Sequence, residues 1–117
     1  MDEAGTDTMG PAWQTVSALA DLPEGRAVKV AAFGEDVLLW RAHDAIFAVS
    51  NRCTHQGAPL ARGVVKPMGS LPSVTCFAHG SVFSLVDGRV LRGPAAKALT
   101  AYDARIEGDD IQVRPRS

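Results

Sequence analysis

Apolar and polar residues alternate over short segments of this chain, and turn-forming residues separate the segments. Val28–Val30 has the alternation of a half-buried strand, whereas Val37–Trp40 is apolar throughout, as in a strand covered on both faces. Trp13–Val16 and Ala45–Ser50 are predicted as further strands. Because no long stretch keeps a helical period, the pattern predicts an all-β protein.

Hairpin turns are predicted where Gly and Asp interrupt the apolar runs. Asp87-Gly88 separates Val82–Leu85 from Arg89–Leu91, and Gly108-Asp109 separates two further short strands around Ile106 and Ile111. Other predicted turns lie at residues 34–36 and 43–44, and a turn or single helical turn lies within residues 17–24. Short strands with frequent turns favour a small antiparallel β sandwich or barrel.

Length and composition bound the class of protein. The chain has 117 residues with 46% hydrophobic and 21% charged positions, which fits one globular domain rather than a multi-domain enzyme. Its net charge of −1 does not favour a nucleic-acid binder. Polar residues 1–11 are predicted as a flexible N-terminal tail, and residues 12–115 as the domain. With no membrane-spanning run and no apolar core near the N-terminus, we expect a cytoplasmic protein without membrane partners.

Cys and His residues cluster at the two ends of a predicted long loop, Asn51–Thr75. Cys53 and His55 open it, and Cys76 and His79 follow its end, although the chain has only two Cys and three His. A single buried Cys or a single His usually has a structural role. Two Cys–His pairs together indicate a metal site, whereas the third histidine, in the predicted His43-Asp44 turn, is expected to bind nothing.

Three arrangements could use these four residues. A Cys53–Cys76 disulfide would leave both imidazoles unexplained and is disfavoured in a cytosol. Two thiolates and two imidazoles could hold a tetrahedral zinc ion, or a [2Fe–2S] cluster in which one iron has two Cys ligands and the other two His ligands. Zinc-finger ligands usually come as like pairs, whereas each segment here carries one Cys and one His, which favours two irons side by side.

The surrounding residues add a family resemblance. Cys53–Leu60 and Cys76–Phe83 resemble the two cluster-binding boxes of Rieske iron–sulfur proteins, and Asp87–Ala95 with Tyr102 is similar to Rieske-type ferredoxins. The similarity covers roughly residues 13–114. It implies a small antiparallel β sandwich (the Rieske [2Fe–2S] domain, residues 12–115) that holds one [2Fe–2S] cluster between two loops at one tip.

The resemblance also implies a role for each matching residue. Cys53 and Cys76 would bind the inner iron, and His55 and His79 the outer iron with their free ring nitrogens facing solvent. The other implied cofactor-binding residues are Gly57 and Gly80, which allow tight turns, Ser81, whose hydroxyl could bond a bridging sulfide, and Pro94, in a third loop over the cluster.

Three positions depart from the respiratory-chain members of the family. Ala58 and Ala78 stand where those members carry an additional disulfide, and Phe83 replaces a Tyr whose hydroxyl lies near a cluster cysteine. The loss of that donor predicts a potential in the lower half of the Rieske range, which runs from roughly −150 to +300 mV.

The resemblance implies a soluble one-electron carrier rather than an enzyme. Its partners would be an electron-donating reductase and an electron-accepting oxidoreductase such as a ring-hydroxylating oxygenase. Three alternatives remain: a small redox subunit like that of nitrite reductase, a structural zinc module that binds another protein, and a redox sensor.

Charge is unevenly distributed along the sequence. Residues 51–98 contain six basic residues and one acidic residue, Asp87, a net charge of +5. If the loops share one tip, that tip is basic and would steer an acidic partner surface towards the cluster. The Val64–Pro72 segment is interpreted either as a harmless surface insertion or as a partner contact.

Overall fold

The computed structural model describes residues 12–42, 45–66 and 72–116, and within these the strands pair antiparallel. The strands are β1 (Gln14–Ala18), β2 (Ala27–Ala32), β3 (Glu35–Ala42), β4 (Ala45–Ser50), β5 (Val64–Lys66), β6 (Ser73–Thr75), β7 (Val82–Ser84), β8 (Val90–Arg92), β9 (Ala101–Glu107) and β10 (Asp110–Pro115). Short 3-10 helices span Leu19–Asp21 and Leu60–Arg62. In the described part of the chain, no helix has the length and apolarity to cross a membrane.

The strands form two sheets, which confirms the predicted all-β antiparallel fold. The larger sheet has the order β1-β10-β9-β4-β3-β2, and the smaller sheet has the order β5-β6-β7-β8. The chain leaves the larger sheet after β4, builds the smaller sheet, and returns with β9. One Cys–His segment lies between β4 and β5, where the chain enters the smaller sheet, and the other lies within that sheet, between β6 and β7.

Strand β3 separates two hydrophobic cores. Leu38 and Trp40 pack in one core with both cysteines and Phe83, whereas Val37 and Leu39 pack in the other with residues of β9 and β10. Alternate side chains of a strand point to opposite faces, so a strand buried on both faces must be apolar at every position. The prediction that Val37–Trp40 is a strand buried on both faces is confirmed. The first core contains both cysteines, so it fixes one end of each Cys–His segment.

Two of the predicted turns differ from the observed ones. The β2–β3 turn is Phe33-Gly34, with φ of 53° and 76°, and Glu35 already pairs with Ala32. The prediction of residues 34–36 was one residue late, because a Phe with positive φ is uncommon. The Asp87-Gly88 hairpin has a longer connection than two residues, in which the Gly88 N–H bonds the Ser84 carbonyl at 2.9 Å.

The prediction that Asn51–Thr75 is one long loop was wrong in part. β5 and β6 lie inside it and pair from Val64↔Thr75 to Lys66↔Ser73. Strands of three residues are too short to show a period, and these two are recognisable only from their pairing, β5 with β6 and β6 with β7. The predicted tail (1–11), the His43-Asp44 turn and residues 67–71 of the Val64–Pro72 segment lie outside the described residues.

Candidate metal centre

The Cys53 loop is closed by its own backbone. The Cys53 N–H donates to the Ala58 carbonyl at 2.9 Å, and the Gly57 N–H donates to the Cys53 carbonyl at 2.7 Å. Gly57 has φ of +79°, a conformation that costs little only for glycine. An antiparallel bridge between Arg52 and Pro59 fixes the base of the loop.

The Cys76 loop repeats this design. The Cys76 N–H donates to the Ser81 carbonyl at 2.8 Å, and the Gly80 N–H donates to the Cys76 carbonyl at 3.1 Å. Gly80 has φ of +81°. Both loops therefore place a glycine four residues after the cysteine, where the chain must turn back, and both begin and end on strands or bridges that fix their orientation.

The structure brings the four predicted ligand residues together as two like pairs. The thiols of Cys53 and Cys76 are free of a disulfide, only 2% exposed, and within hydrogen-bonding reach of each other. His55 and His79 are exposed, and their rings meet edge to face with centroids 5.1 Å apart. A buried sulfur pair therefore accompanies an exposed imidazole pair.

Burial raises the pKa of the Cys53 thiol above its ordinary value, and the adjacent Cys76 thiol raises it further. The backbone N–H groups of His55 and Gln56 oppose this effect by hydrogen bonding to the sulfur. Donors aimed at a sulfur stabilise it as a thiolate, which is the form that binds metals. A metal that binds here must displace the thiol proton, and the backbone donors then compensate the buried charge.

A third segment, residues 93–98, is tied to both loops. The Ala95 N–H donates to the Ser81 hydroxyl oxygen at 3.0 Å, and the Thr54 hydroxyl donates to the Lys97 carbonyl at 2.6 Å. Ser81 is fully buried, and a hydroxyl that accepts one hydrogen bond can still donate its proton. Pro94, which the family resemblance places over the cluster, is exposed in this segment.

The donor set fits a binuclear site better than a mononuclear one. Among the described residues, no three His, Cys, Asp or Glu side chains are placed to share one metal ion. A structural zinc needs four ligands on one ion, whereas a Rieske cluster needs two protein ligands on each of two irons. The sulfur pair and the imidazole pair match the second requirement.

One feature of the site was not predicted from the sequence. The Arg62 guanidinium lies over the ring of Phe77, 5.7 Å from its centroid, and Phe77 is 56% exposed. No local sequence pattern indicates this contact, because Arg62 precedes β5 and Phe77 follows β6. The two residues meet only when these strands pair.

The sequence model of the Rieske [2Fe–2S] domain matches residues 12–103 of the chain. The chain therefore belongs to the Rieske [2Fe–2S] domain family, and its cofactor is the [2Fe–2S] cluster of that family.

Three relatives place the chain within this family. It is 28% identical to the ferredoxin component of the naphthalene 1,2-dioxygenase system of Pseudomonas aeruginosa, over 86% of this chain and 93% of the relative. The ferredoxin of carbazole 1,9a-dioxygenase from Nocardioides aromaticivorans superposes with a TM-score of 0.81 at 28% identity, over 91% of this chain and 98% of that one. A protein assigned as the small subunit of an NADH-dependent nitrite reductase from Mycobacterium tuberculosis superposes with a TM-score of 0.77 at 33% identity, over 88% and 94% of the two chains.

Proposed function

We propose that this protein is a one-electron carrier of the Rieske ferredoxin type, which takes electrons from a reductase and passes them to a terminal oxidoreductase such as a ring-hydroxylating oxygenase. The observation that carries the proposal is the buried Cys53–Cys76 thiol pair beside the exposed His55–His79 imidazole pair. Support also comes from the two relatives that are ferredoxin components of dioxygenases and match nearly their whole length.

The proposal assigns a role to each site residue. Cys53 and Cys76 would hold the inner iron and His55 and His79 the outer iron, and the cluster would supply a one-electron couple when bound. The buried thiols keep water from the inner side, whereas the exposed imidazoles provide a short path to a partner.

The remaining site residues would shape the surroundings of the cluster. Gly57 and Gly80 would turn the loops so that backbone N–H groups face the sulfurs, and the Ser81 hydroxyl would donate to a bridging sulfide. Pro94 covers the site with an apolar ring. We further propose that residues 12–115 form the domain, that residues 1–11 are a flexible tail, that the protein works in the cytoplasm, and that it has no substrate reaction of its own.

Iron content and spectroscopy after expression with iron and sulfide test the proposal. We expect about two irons and two acid-labile sulfides per chain, a brown colour, and a rhombic EPR signal of low average g after reduction. His55→Ala and His79→Ala should remove that signal. His43→Ala is the matched control and should retain it, because His43 is predicted to lie in a turn. A colourless protein with one zinc ion would contradict the proposal.

A second candidate function is that of a small redox subunit within a larger enzyme. It is favoured by the 33% identity to the assigned nitrite reductase small subunit, although the first function is supported by more of the relatives. Co-expression with the large subunit of an NADH-dependent nitrite reductase separates the two. A stable complex on gel filtration would favour the subunit, whereas a monomeric brown protein favours the carrier.

A further inference from the structure

We propose that the exposed Phe77 ring, held by Arg62, and the basic recess beside His55 form a docking surface for an acidic face of a redox partner. The proposal rests on the function proposed above and deepens it, because it states the chemistry of the surface that a partner must present. The docking surface is defined here as Arg62, Phe77, Lys97 and the two exposed histidines.

Phe77 has the properties of a binding anchor. It lies in the Cys76 loop, two residues before His79, and leaves 56% of its surface in solvent. The Arg62 guanidinium covers one side of the ring at 5.7 Å, which restricts the side chain before any partner arrives. A large apolar ring that is exposed yet restrained loses little entropy on binding, and aromatic and Arg residues dominate the energy of interfaces.

The recess beside His55 supplies the polar part of the surface. It has a volume of about 600 Å³ and is lined by His55, Thr54, Gln56, Arg52 and Lys97. The Thr54–Lys97 hydrogen bond fixes the backbone on which the Lys97 ammonium is carried. A carboxylate of a partner is the group that this recess fits, because the charged side chains on its walls are basic.

Strand register shows which basic residues of the +5 segment lie near the docking surface. Arg62 contacts the Cys76 loop, and Lys97 lines the recess beside the Cys53 loop. Lys66 pairs with Ser73, which is three residues from Cys76, or about 10 Å along the strand. Arg89 lies in the connection between β7 and β8, which is also at the end of the smaller sheet away from the ligand loops. Its guanidinium nitrogen is 4.0 Å from a carboxylate oxygen of Asp87. Only some of the basic residues of the 51–98 segment therefore contribute to the predicted basic tip.

Acidic residues mark one border of the surface. Glu35 and Asp36 line a neighbouring cavity together with Arg52 and Gly57. These carboxylates lie beside Arg52, whereas Arg62 and Lys97 form no ion pair within the described ranges of the chain, so these two residues carry the basic side of the tip. The complementary partner surface is an apolar patch with carboxylates at its rim. Its carboxylates would face Arg62 and Lys97, and its apolar patch would contact Phe77.

Two double variants with the same net charge test the electrostatic part. Arg62→Gln/Lys97→Gln removes charge from the docking surface, whereas Lys66→Gln/Arg89→Gln removes the same charge from the far end. The probe is fully reduced flavodoxin, an acidic flavoprotein that passes one electron to the cluster-loaded protein, followed by stopped-flow absorbance at 20 and 200 mM salt. We expect the wild-type rate to fall with salt, and the low-salt rate of the first variant to be about 3- to 10-fold lower than that of the second.

Phe77→Ala and Phe77→Leu test the apolar part with the same probe at 200 mM salt, where charge contributes least. The Ala variant should bind more weakly, seen as a half-saturating flavodoxin concentration raised about 5-fold or more, and the Leu variant should recover most of the loss. Rates are normalised to the chromophore that dithionite reduces, so loss of the cluster is measured separately from loss of docking.

Distinct results would overturn the proposal. Equal low-salt rates for the two double variants, or a wild-type rate with flavodoxin that does not fall between 20 and 200 mM salt, would show that the tip does not select an acidic partner. A Phe77→Ala variant with the same half-saturating flavodoxin concentration as the wild type would show that Phe77 does not anchor the partner. A wild-type chain that carries no reducible cluster overturns the proposed function and this inference with it.

Discussion

The backbone N–H of Ala95 donates a 3.0 Å hydrogen bond to the fully buried hydroxyl oxygen of Ser81. The contact joins the third segment of the site to the Cys76 loop, across 14 residues of sequence. Because the oxygen is occupied by Ala95, the orientation of the hydroxyl is restricted and its proton is directed elsewhere. This hydrogen bond therefore orients the Ser81 O–H and also holds the third segment against the Cys76 loop.

Ser81→Ala tests both roles. The variant leaves the Ala95 N–H without its partner inside the protein, so the unfolding free energy should fall by about 1–3 kcal/mol. If the hydroxyl donates to the cluster, the reduction potential should also fall, because the reduced form loses a stabilising donor. Guanidinium unfolding and spectroelectrochemical titration measure the two effects.

The matched control for Ser81→Ala is Thr54→Val. This variant breaks the other tie of the third segment, the Thr54–Lys97 bond, at an exposed position. We expect less than about 1 kcal/mol of destabilisation and no change in potential. A potential that shifts equally in both variants would mean that loop position, rather than the Ser81 proton, sets it.

Gly80→Ala should affect the metal site beyond its effect on stability. Gly80 and Gly25 have nearly the same φ, +81° and +80°, and a Cβ at either position would meet no neighbouring atom. Both Ala variants should therefore lose a similar unfolding free energy, about 1 kcal/mol, from backbone strain. Only Gly80→Ala should alter the EPR spectrum or the iron content, because only Gly80 lies in a candidate ligand loop. An altered spectrum in Gly25→Ala would contradict this assignment.

The two hairpin glycines should tolerate substitution unequally. Gly88 and Gly108 both have positive φ, but a Cβ on Gly88 would collide with the Leu99 carbonyl, whereas a Cβ on Gly108 would meet open space. The Leu99 N–H in turn donates to the Gly88 carbonyl at 2.8 Å, which holds the two backbones together. Gly108→Ala should cost about 1 kcal/mol and Gly88→Ala about 3 kcal/mol or more, measured by guanidinium unfolding. Equal losses would show that the Gly88 contact relaxes easily.

The single tyrosine of the chain, Tyr102, should ionise above its usual pH. Burial raises the pKa of its hydroxyl, and the charge of Glu35 raises it further. The usual tyrosine pKa is about 10, so above that pH the unfolded chain loses this proton before the folded chain does. The stability that Tyr102 contributes is thus fully present below about pH 10 and is lost as the pH rises through the folded-state pKa.

Tyrosinate difference absorbance measures this directly, because no other tyrosine contributes. The midpoint should lie above 10 in the folded protein and near 10 in guanidinium. Tyr102→Phe should abolish the absorbance change and weaken the alkaline decline in stability. An unchanged midpoint on unfolding would show that the phenol is not shielded by the fold.

Local sequence patterns were informative where an element is long or its chemistry is unusual. Ala45–Ser50 was predicted with its observed bounds, and the uninterrupted apolar run at Val37–Trp40 identified a strand with a core on each side. The two Cys–His boxes identified the candidate centre, because four rare residues at fixed spacing restrict the chemistry that they can support.

Contacts between distant segments were decided by the tertiary structure alone. The pairing of β5 with β6 requires Gly63 to lie against the Thr75 carbonyl, and it brings Arg62 onto Phe77. The same sheet carries Lys66 away from the ligand loops. No segment contains the information for these placements, because register is set when several short strands pack on a shared core. The sequence by itself therefore determined which atoms are candidates to bind the cluster, whereas the packing of two sheets decided which side chains surround those atoms at the surface.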